Sequence, residues 1–198
     1  MSHPLNKDIN FLGSNLPRKE RHYSRLKETV MKEIKLTQGQ FALIDDDDYE
    51  RVNQFKWYAR YDKKRNTFTA LTNIRNNKKQ ISIYMHRAIM NATDEKILID
   101  HINHNTLDNR KENLRLCSVN ENNYNRKINK NNNSGYKGVH LARYNRKNKI
   151  YIYYRAKIQT DNIEVSLGLF KTAKDAAIAY NEAAKKYHGE FAYLNPIA

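Results

Sequence analysis

The clearest alternation of apolar and polar residues lies in the last third of the chain. From Ile150 to Ile158 two sets of residues alternate, with the two-residue period of a β-strand that has one face in a core. The core set is Ile150, Ile152, Tyr154, Ala156 and Ile158, and the opposite set is Tyr151, Tyr153, Arg155 and Lys157. Val165, Leu167 and Leu169 repeat the period and predict a further strand.

A run of small apolar residues at helical spacing follows these strands. Thr172 is the predicted N-cap, with Asp175 placed to favour the first turn, and Gly189 is the predicted stop. The expected buried stripe is Ala173, Ala176, Ala177, Tyr180, Ala183, Ala184 and Tyr187. Because alanine lets a helix lie close to a sheet, residues 135–194 predict three strands packed on one helix.

The segment from Ile34 to Met85 is typical of an antiparallel sheet, with short aromatic and β-branched runs between polar clusters. The runs are Phe41 to Ile44, Phe55 to Tyr58, Thr67 to Leu71 and Gln80 to Met85. The acidic run Asp45 to Asp48 is expected to be a solvated turn. Residues 1–33 form a basic arm in which Arg18 to Glu33 favours a helix, and this arm is either a DNA contact or a solvated tail.

Charge is the property that points most directly to a partner. The 198 residues include 36 Lys and Arg against 21 Asp and Glu, a formal charge of +15. This excess favours a polyanion, above all nucleic acid, over a membrane surface, because no run of residues is apolar enough to span a bilayer. Cys117 is the single cysteine, which excludes an intramolecular disulfide and a cysteine-rich zinc site. With a polar start to the chain, this predicts a cytoplasmic protein.

An adjacent aspartate and histidine carry the candidate chemistry. The predicted strand Ile97 to Ile99 delivers Asp100 and His101 to its end, and an asparagine-rich loop and a short helix from Ser118 follow. Phosphodiester hydrolysis needs a base for water and a cation at the phosphate, and an Asp beside a His can supply both within a small volume. Oxygen and imidazole donors favour a hard ion such as Mg²⁺.

Residues 86–126 resemble the HNH nuclease family, which has a ββα unit around one divalent ion. The resemblance rests on the Asp-His pair, the asparagine-rich loop, the Glu-Asn-Leu-Arg run ending at Arg115 and a further asparagine nine residues after Asn113. It implies one Mg²⁺ or Mn²⁺ ion, with these roles: Asp100 and Asn122 as metal ligands, His101 as general base, Asn113 as the residue that holds the His101 backbone, and His86 as possible catalytic support. Asn120, Asn123 and Asn125 remain alternatives to Asn122. His104 stands where the family usually has glycine, so the loop is expected to bend differently.

The C-terminal segment resembles the plant Apetala/ethylene-response-factor DNA-binding domain, whose sheet lies in the major groove. The similar segments are residues 136–139, 167–170 and 176–184, together with Leu194 and Asn195. The resemblance implies DNA contacts, and the predicted set is Lys137, His140, Arg143, Tyr144, Arg155 and Lys157. The positions that determine specificity in plants differ here, so the target sequence does not carry over.

These observations predict an α+β protein with four segments: an arm (1–33), an HNH nuclease domain with a preceding antiparallel β-region (34–128), an asparagine-rich linker (129–134) and a small three-stranded sheet packed on one helix (135–195). The predicted function is cleavage of double-stranded DNA by a nicking homing endonuclease of phage or bacterial type, as a monomer or a dimer. The alternatives are a DNA-binding regulator with an inactive nuclease site and a nucleoid-type structural protein.

Overall fold

A computed structural model describes residues 30–76, 79–161 and 163–197. The contacts within the chain divide it into two compact units, residues 1–116 and 117–198. Among the described residues, no helix is both long and apolar enough to cross a membrane. The predicted arm lies largely outside the described residues.

The first unit contains small antiparallel sheets and two short helices. In chain order the elements are β1 (Met31–Lys35), β2 (Phe41–Asp45), α1 (Asp46–Val52), β3 (Tyr58–Asp62), β4 (Thr67–Asn76), β5 (Lys79–Tyr84), α2 (Met85–Ile89), β6 (Leu98–His101) and β7 (Leu114–Cys117). β1 pairs with β2, β3–β4–β5 form a meander, and β6 pairs with β7. The predicted antiparallel β-region is confirmed, although it forms two sheets and Met85 begins a helix instead of ending a strand.

The core of the first unit joins the two β1–β5 sheets and α2. Ile44 and Met85 are fully buried in it, and Trp57 is 3% exposed. The Trp57 indole donates a hydrogen bond of 2.8 Å to the Val52 carbonyl, which satisfies the one polar atom of this large side chain. The loop that follows β6 packs against this core.

The acidic run departs from its prediction as a solvated turn. Asp46, Asp47 and Asp48 form the first turn of α1, where carboxylates are favoured by the helix dipole. Asp48 is only 4% exposed, and it binds Arg51 at 2.6 Å and Lys111 at 2.7 Å. Asp45 is also buried and accepts from the Lys111 backbone N–H at 2.8 Å. The run was predicted to be solvated because runs of like charge are usually exposed, and the sequence pattern does not show that Lys111 reaches Asp48 and Asp45.

The end of the predicted arm helix is also wrong. Met31 to Glu33 belong to strand β1, which pairs with β2 in the register Met31 to Asp45. Val30 and Met31 are each 59% exposed. The remainder of that predicted helix lies outside the described residues.

The second unit contains α3 (Val119–Tyr124), β8 (Val139–Arg146), β9 (Lys149–Thr160), β10 (Ile163–Phe170) and α4 (Ala173–His188). Its strands form an antiparallel sheet in the order β10–β9–β8, and α4 packs on one face through Ala176 and Ala177. The predicted three strands and one helix are confirmed. Thr172 caps α4 by accepting from the Asp175 N–H at 3.0 Å, and Gly189 ends it with a φ of 54°.

Two details of the predicted core of this unit are wrong. Ile150 and Ile152 continue the apolar alternation but are 70% and 53% exposed, because the β8–β9 hairpin continues past the residues that form the core. On α4, Tyr187 is 41% exposed and His188 takes the buried place, at 6% exposure. The stripe therefore follows Tyr180, Ala184 and His188, at a spacing of four.

Candidate active site and nucleic-acid interface

Strand β6 ends with the two residues predicted to carry the chemistry. Asp100 and His101 are each 7% exposed. The Asp100 Oδ2 atom accepts hydrogen bonds from Arg115 on β7, at 2.7 Å from Nη2 and 3.0 Å from Nε. Pairing of β6 with β7 thus places a guanidinium beside the carboxylate and offsets its buried negative charge.

The side chains of His86 and Asn109 lie next to the His101 imidazole. The His86 ring lies edge-on to it, with centroids 5.3 Å apart and planes at 80°. Asn109 Oδ1 lies 3.5 Å from His101 Nε2. Burial lowers the pKa of His101, and Asn109, Asp100 and Asp108 oppose this shift without reversing it. A neutral imidazole is the state that accepts a proton from water.

His86 is a half-buried, uncharged neighbour of His101. It lies at the start of α2, with its ring 5.5 Å from that of Tyr84. Burial, with the nearby charges of His101 and Arg87, lowers the pKa of His86 to about 3. Its Nδ1 atom is buried and has no hydrogen-bond partner among the described residues. The structure therefore brings this predicted support residue to His101 as an aromatic ring and not as a cation.

Asn113 closes the loop that follows His101. Its Oδ1 accepts from the Asn103 N–H at 2.9 Å, and its Nδ2 donates to the Asp108 carbonyl at 2.7 Å. The Asn113 carbonyl accepts from the Ile102 N–H at 2.9 Å. These hydrogen bonds join Asn113 to Ile102 and Asn103, the two residues after His101, and to Asp108, while its role in holding the His101 backbone itself stays a prediction.

The turn at His104 bends as a glycine would. His104 has a φ of 62°, in the left-handed region that glycine favours, and its N–H donates to the His101 carbonyl at 2.9 Å. His104 thus has a backbone conformation that glycine also favours, and the expected difference from the family's loop stays a prediction.

Asn109 is the site residue that the sequence did not reveal. It is 1% exposed, and its backbone N–H donates to the Leu43 carbonyl at 2.8 Å. Its Nδ2 atom is buried without a hydrogen-bond partner in the described part of the chain. Its burial depends on the bridge between Leu43 and Asp108, a pairing that local spacing does not encode.

Asn122 lies on the helix predicted to begin after Ser118. Ser118 and Glu121 form a reciprocal capping box at the start of α3, which confirms that helix. α3 belongs to the second unit, whereas Asp100 and His101 belong to the first. A carboxylate and an amide oxygen suit Mg²⁺, so the predicted donor set fits the ion chemically. Within the described ranges, no three His, Cys, Asp or Glu side chains cluster as a metal site.

Four of the predicted DNA contacts share one face of the second unit's sheet. In the register His140 pairs with Arg155 and Tyr144 with Tyr151, and directly paired residues share a face. Ala156 and Ile158 point toward α4, so His140, Tyr144, Arg155 and Lys157 lie on the opposite face.

Hydrogen bonds and an ion pair order this outer face. Arg155 Nη2 donates to the Tyr144 hydroxyl at 3.0 Å, and the Tyr144 and Tyr153 rings meet edge-to-face with centroids 6.0 Å apart. Lys157 Nζ lies 2.7 Å from Glu164 Oε2, which offsets part of its charge. Arg155 therefore remains the more prominent cation of the predicted set.

Two predicted DNA contacts lie elsewhere. Arg143 pairs with Ile152 and so lies on the same side of the sheet as α4, although it is exposed. Lys137 Nζ donates to the carbonyls of Tyr124 at 2.6 Å and Arg126 at 2.8 Å, so its ammonium is engaged within the fold. Burial, with the charge of Arg126, lowers the pKa of Lys137 to about 8.

Comparison with known proteins supports a nuclease. Residues 91–124 match the family described as HNH endonuclease, a segment that contains Asp100, His101, Asn113 and Asn122. The chain is also 29% identical, over 160 residues, to an uncharacterized HNH endonuclease of Acanthamoeba polyphaga mimivirus; the alignment covers 80% of this chain and 76% of the viral one. No solved structure matches. The segment that holds the candidate active site is therefore similar to HNH endonucleases.

Proposed function

We propose that this protein is a metal-dependent DNA endonuclease that cuts at sites selected by its C-terminal sheet. The observation that carries the proposal is the buried His101 next to Asp100 at the end of β6, inside the segment that matches the HNH endonuclease family. A lone buried histidine is often structural. Here it adjoins a carboxylate at a strand end, as a hydrolytic site requires.

In the proposed reaction, His101 removes a proton from the attacking water through one ring nitrogen. Asn109 Oδ1 is positioned to accept from Nε2–H, which would leave Nδ1 as the base. Asp100 and Asn122 are the proposed oxygen ligands of one Mg²⁺ or Mn²⁺ ion. When bound, this ion supplies charge stabilisation at the phosphate and the departing oxygen. Arg115 keeps the Asp100 carboxylate oriented.

The proposed DNA contacts are the outer-face residues of the second sheet. Arg155 is suited to read guanine in the major groove, and the tyrosines and His140 are suited to sugar and phosphate contacts. The excess of basic residues in the chain supports non-specific attraction to the duplex. The likeness of this unit to Apetala/ethylene-response-factor domains, the asparagine-rich linker at 129–134, a homing role in phage or bacteria and a cytoplasmic location belong to the same proposal.

A single active site per chain favours nicking of one strand, and double-strand cuts would then need two chains or two events. The test is to incubate the protein with supercoiled plasmid that carries its target, with Mg²⁺ or with a chelator. We expect open-circular product only with the metal. Tight DNA binding without any product, at any Mg²⁺ or Mn²⁺ concentration, would instead indicate a DNA-binding regulator with an inactive nuclease site.

A further inference from the structure

Within the second unit, a lysine attaches the C-terminal end of helix α3 to the rest of the unit. Lys137 Nζ donates to the Tyr124 carbonyl at 2.6 Å and the Arg126 carbonyl at 2.8 Å, and lies 3.5 Å from the Asn123 carbonyl. The last carbonyls of a helix have no partner within it, and they carry the negative end of its dipole. An ammonium at this position therefore caps α3 and fixes where it ends.

The side chain of Tyr124 provides a second attachment. Its ring stacks on His188 at the end of α4, with centroids 3.8 Å apart and planes 6° from parallel. Its hydroxyl accepts from the Asp161 N–H at 2.9 Å, in the turn between β9 and β10. His188 is held in turn by its Nε2, which donates to the Gln159 carbonyl at 2.8 Å. The helix is thus joined to α4 and to the sheet at once.

Lys137 is itself held rigidly. Its N–H donates to Asn195 Oδ1 at 2.7 Å, and its carbonyl accepts from Asn195 Nδ2 at 3.1 Å. The next residue is Gly138, with a φ of 74°, where any Cβ would overlap the Tyr180 ring. The lysine therefore projects from a backbone that is fixed on both sides, and it does not adapt to wherever α3 ends.

The end of the HNH match and the boundary between the two units fall at different residues, so the attachments of α3 concern part of the nuclease motif. The HNH match ends at residue 124, whereas the second unit begins at Cys117. The last part of the nuclease motif, including Asn122, therefore folds with the sheet-and-helix unit. A tethered DNA-binding module with its own core would not require the carbonyls of a nuclease helix as partners.

We infer that Lys137 and His188 are positioning residues of the nuclease, which hold α3 and its proposed metal ligand Asn122 on the DNA-binding unit. The inference rests on the proposed function for its catalytic meaning, and the anchoring itself can be tested without catalysis. The inference also predicts the effect of removing the residues after Asn129. Such a truncation removes Lys137, Asp161 and His188, so metal binding and cutting fail together with affinity.

The test compares Lys137→Met, which keeps the length of the side chain but no donor, with Lys185→Met, which removes one charge from an exposed part of α4. Tyr124→Leu, which removes the stacking ring and keeps the lysine, is the second variant. Three quantities are measured on the full chain: hydrogen exchange of the α3 amides, Mn²⁺ binding without DNA, and the Mg²⁺ dependence of plasmid nicking. Thermal melting shows that each variant is folded.

For Lys137→Met and Tyr124→Leu we expect α3 amides to exchange roughly tenfold faster or more, while β9 amides keep their protection. Mn²⁺ binding should weaken, and nicking should need more Mg²⁺, with DNA affinity equal to that of Lys185→Met. Unchanged α3 exchange, or unchanged metal dependence, overturns the inference. If the wild type binds Mn²⁺ but cuts no DNA, the proposed function is wrong. Hydrogen exchange and Mn²⁺ binding of the variants then still test whether Lys137 and His188 position α3. A wild type that binds no Mn²⁺ overturns both.

Discussion

The His86 and His101 rings are nearly perpendicular, with centroids 5.3 Å apart and planes at 80°. The two histidines come from different elements, α2 and β6, and both have pKa values lowered by burial. Burial disfavours a charge on either ring, and two charged rings at this distance would repel each other. The pair therefore favours two neutral rings, one as packing and the other as the proposed base.

His86→Phe should make the protein less sensitive to acid. In the folded chain the pKa of His86 is about 3, against 6.5 for an ordinary histidine. The neutral ring therefore contributes fully to the free energy of unfolding above pH 6.5. This contribution is lost as the pH falls from 6.5 toward 3, by about 1.4 kcal/mol per pH unit. Urea unfolding at pH 7.5 and pH 5 measures this, since phenylalanine keeps the ring but does not titrate.

The quantity to compare is the free energy of unfolding of His86→Phe minus that of wild type. This difference should be about 2 kcal/mol more positive at pH 5 than at pH 7.5. The other histidines titrate in both proteins and cancel in the comparison. Equal losses of stability in wild type and variant would show that His86 is solvated in the folded chain.

Asp100→Ala should destabilise the first unit as well as impair metal binding. The carboxylate and Arg115 form an ion pair with side-chain exposures of 9% and 10%. Removal of one partner from a buried pair typically costs roughly 3–5 kcal/mol. Asp47→Ala, on an exposed carboxylate of α1, is the matched control and should change stability by less than about 0.5 kcal/mol. Equal melting temperatures for the two variants would mean that the ion pair between Asp100 and Arg115 does not stabilise the first unit.

For the chemistry, Asp100→Asn is the more informative replacement because its oxygen still accepts from Arg115. We expect it to bind DNA normally, to cut slowly and to recover part of its rate at higher Mg²⁺ concentration, since one neutral ligand oxygen remains. A rate that does not respond to Mg²⁺ would separate Asp100 from the metal.

Arg155→Ala should change the preferred DNA sequence, whereas Arg143→Ala should not. The two arginines carry the same charge and lie on adjacent strands, but the register places them on opposite faces of the sheet. A base-reading arginine contributes roughly 1–3 kcal/mol at its own base pair. Selection from random duplexes measures the preference. Identical preferences for both variants would place the reading face elsewhere.

Local signals in the sequence were enough for the elements whose residues act within a few positions of one another. The alternation in β9, the Thr172 cap of α4 and the Ser118 start of α3 each depend on neighbours along the chain, and each was predicted. So was the delivery of Asp100 and His101 to the end of β6.

What the sequence did not reveal depends on distant pairings. Asp48 is buried because Lys111 and Arg51 reach it, and Asn109 is brought to His101 by backbone bonds to Leu43. Lys137 was predicted to contact DNA because its carbonyl partners at the end of α3 are not visible as a motif. The face on which Arg143 lies follows from the strand register, which alternation in β9 alone does not fix for β8.

The central claim is that His101 is the base of a DNA-cutting site, and His101→Ala tests it most directly. The measurement is the single-turnover rate of nicking of supercoiled plasmid in Mg²⁺, with protein above the dissociation constant for DNA, which is measured separately for each protein. We predict a rate roughly 10²–10⁴-fold below wild type with an unchanged dissociation constant, because a lost general base affects the transition state and not phosphate binding. Nicking by His101→Ala at a rate close to that of wild type would contradict the account and transfer the role of base to His86 or His104.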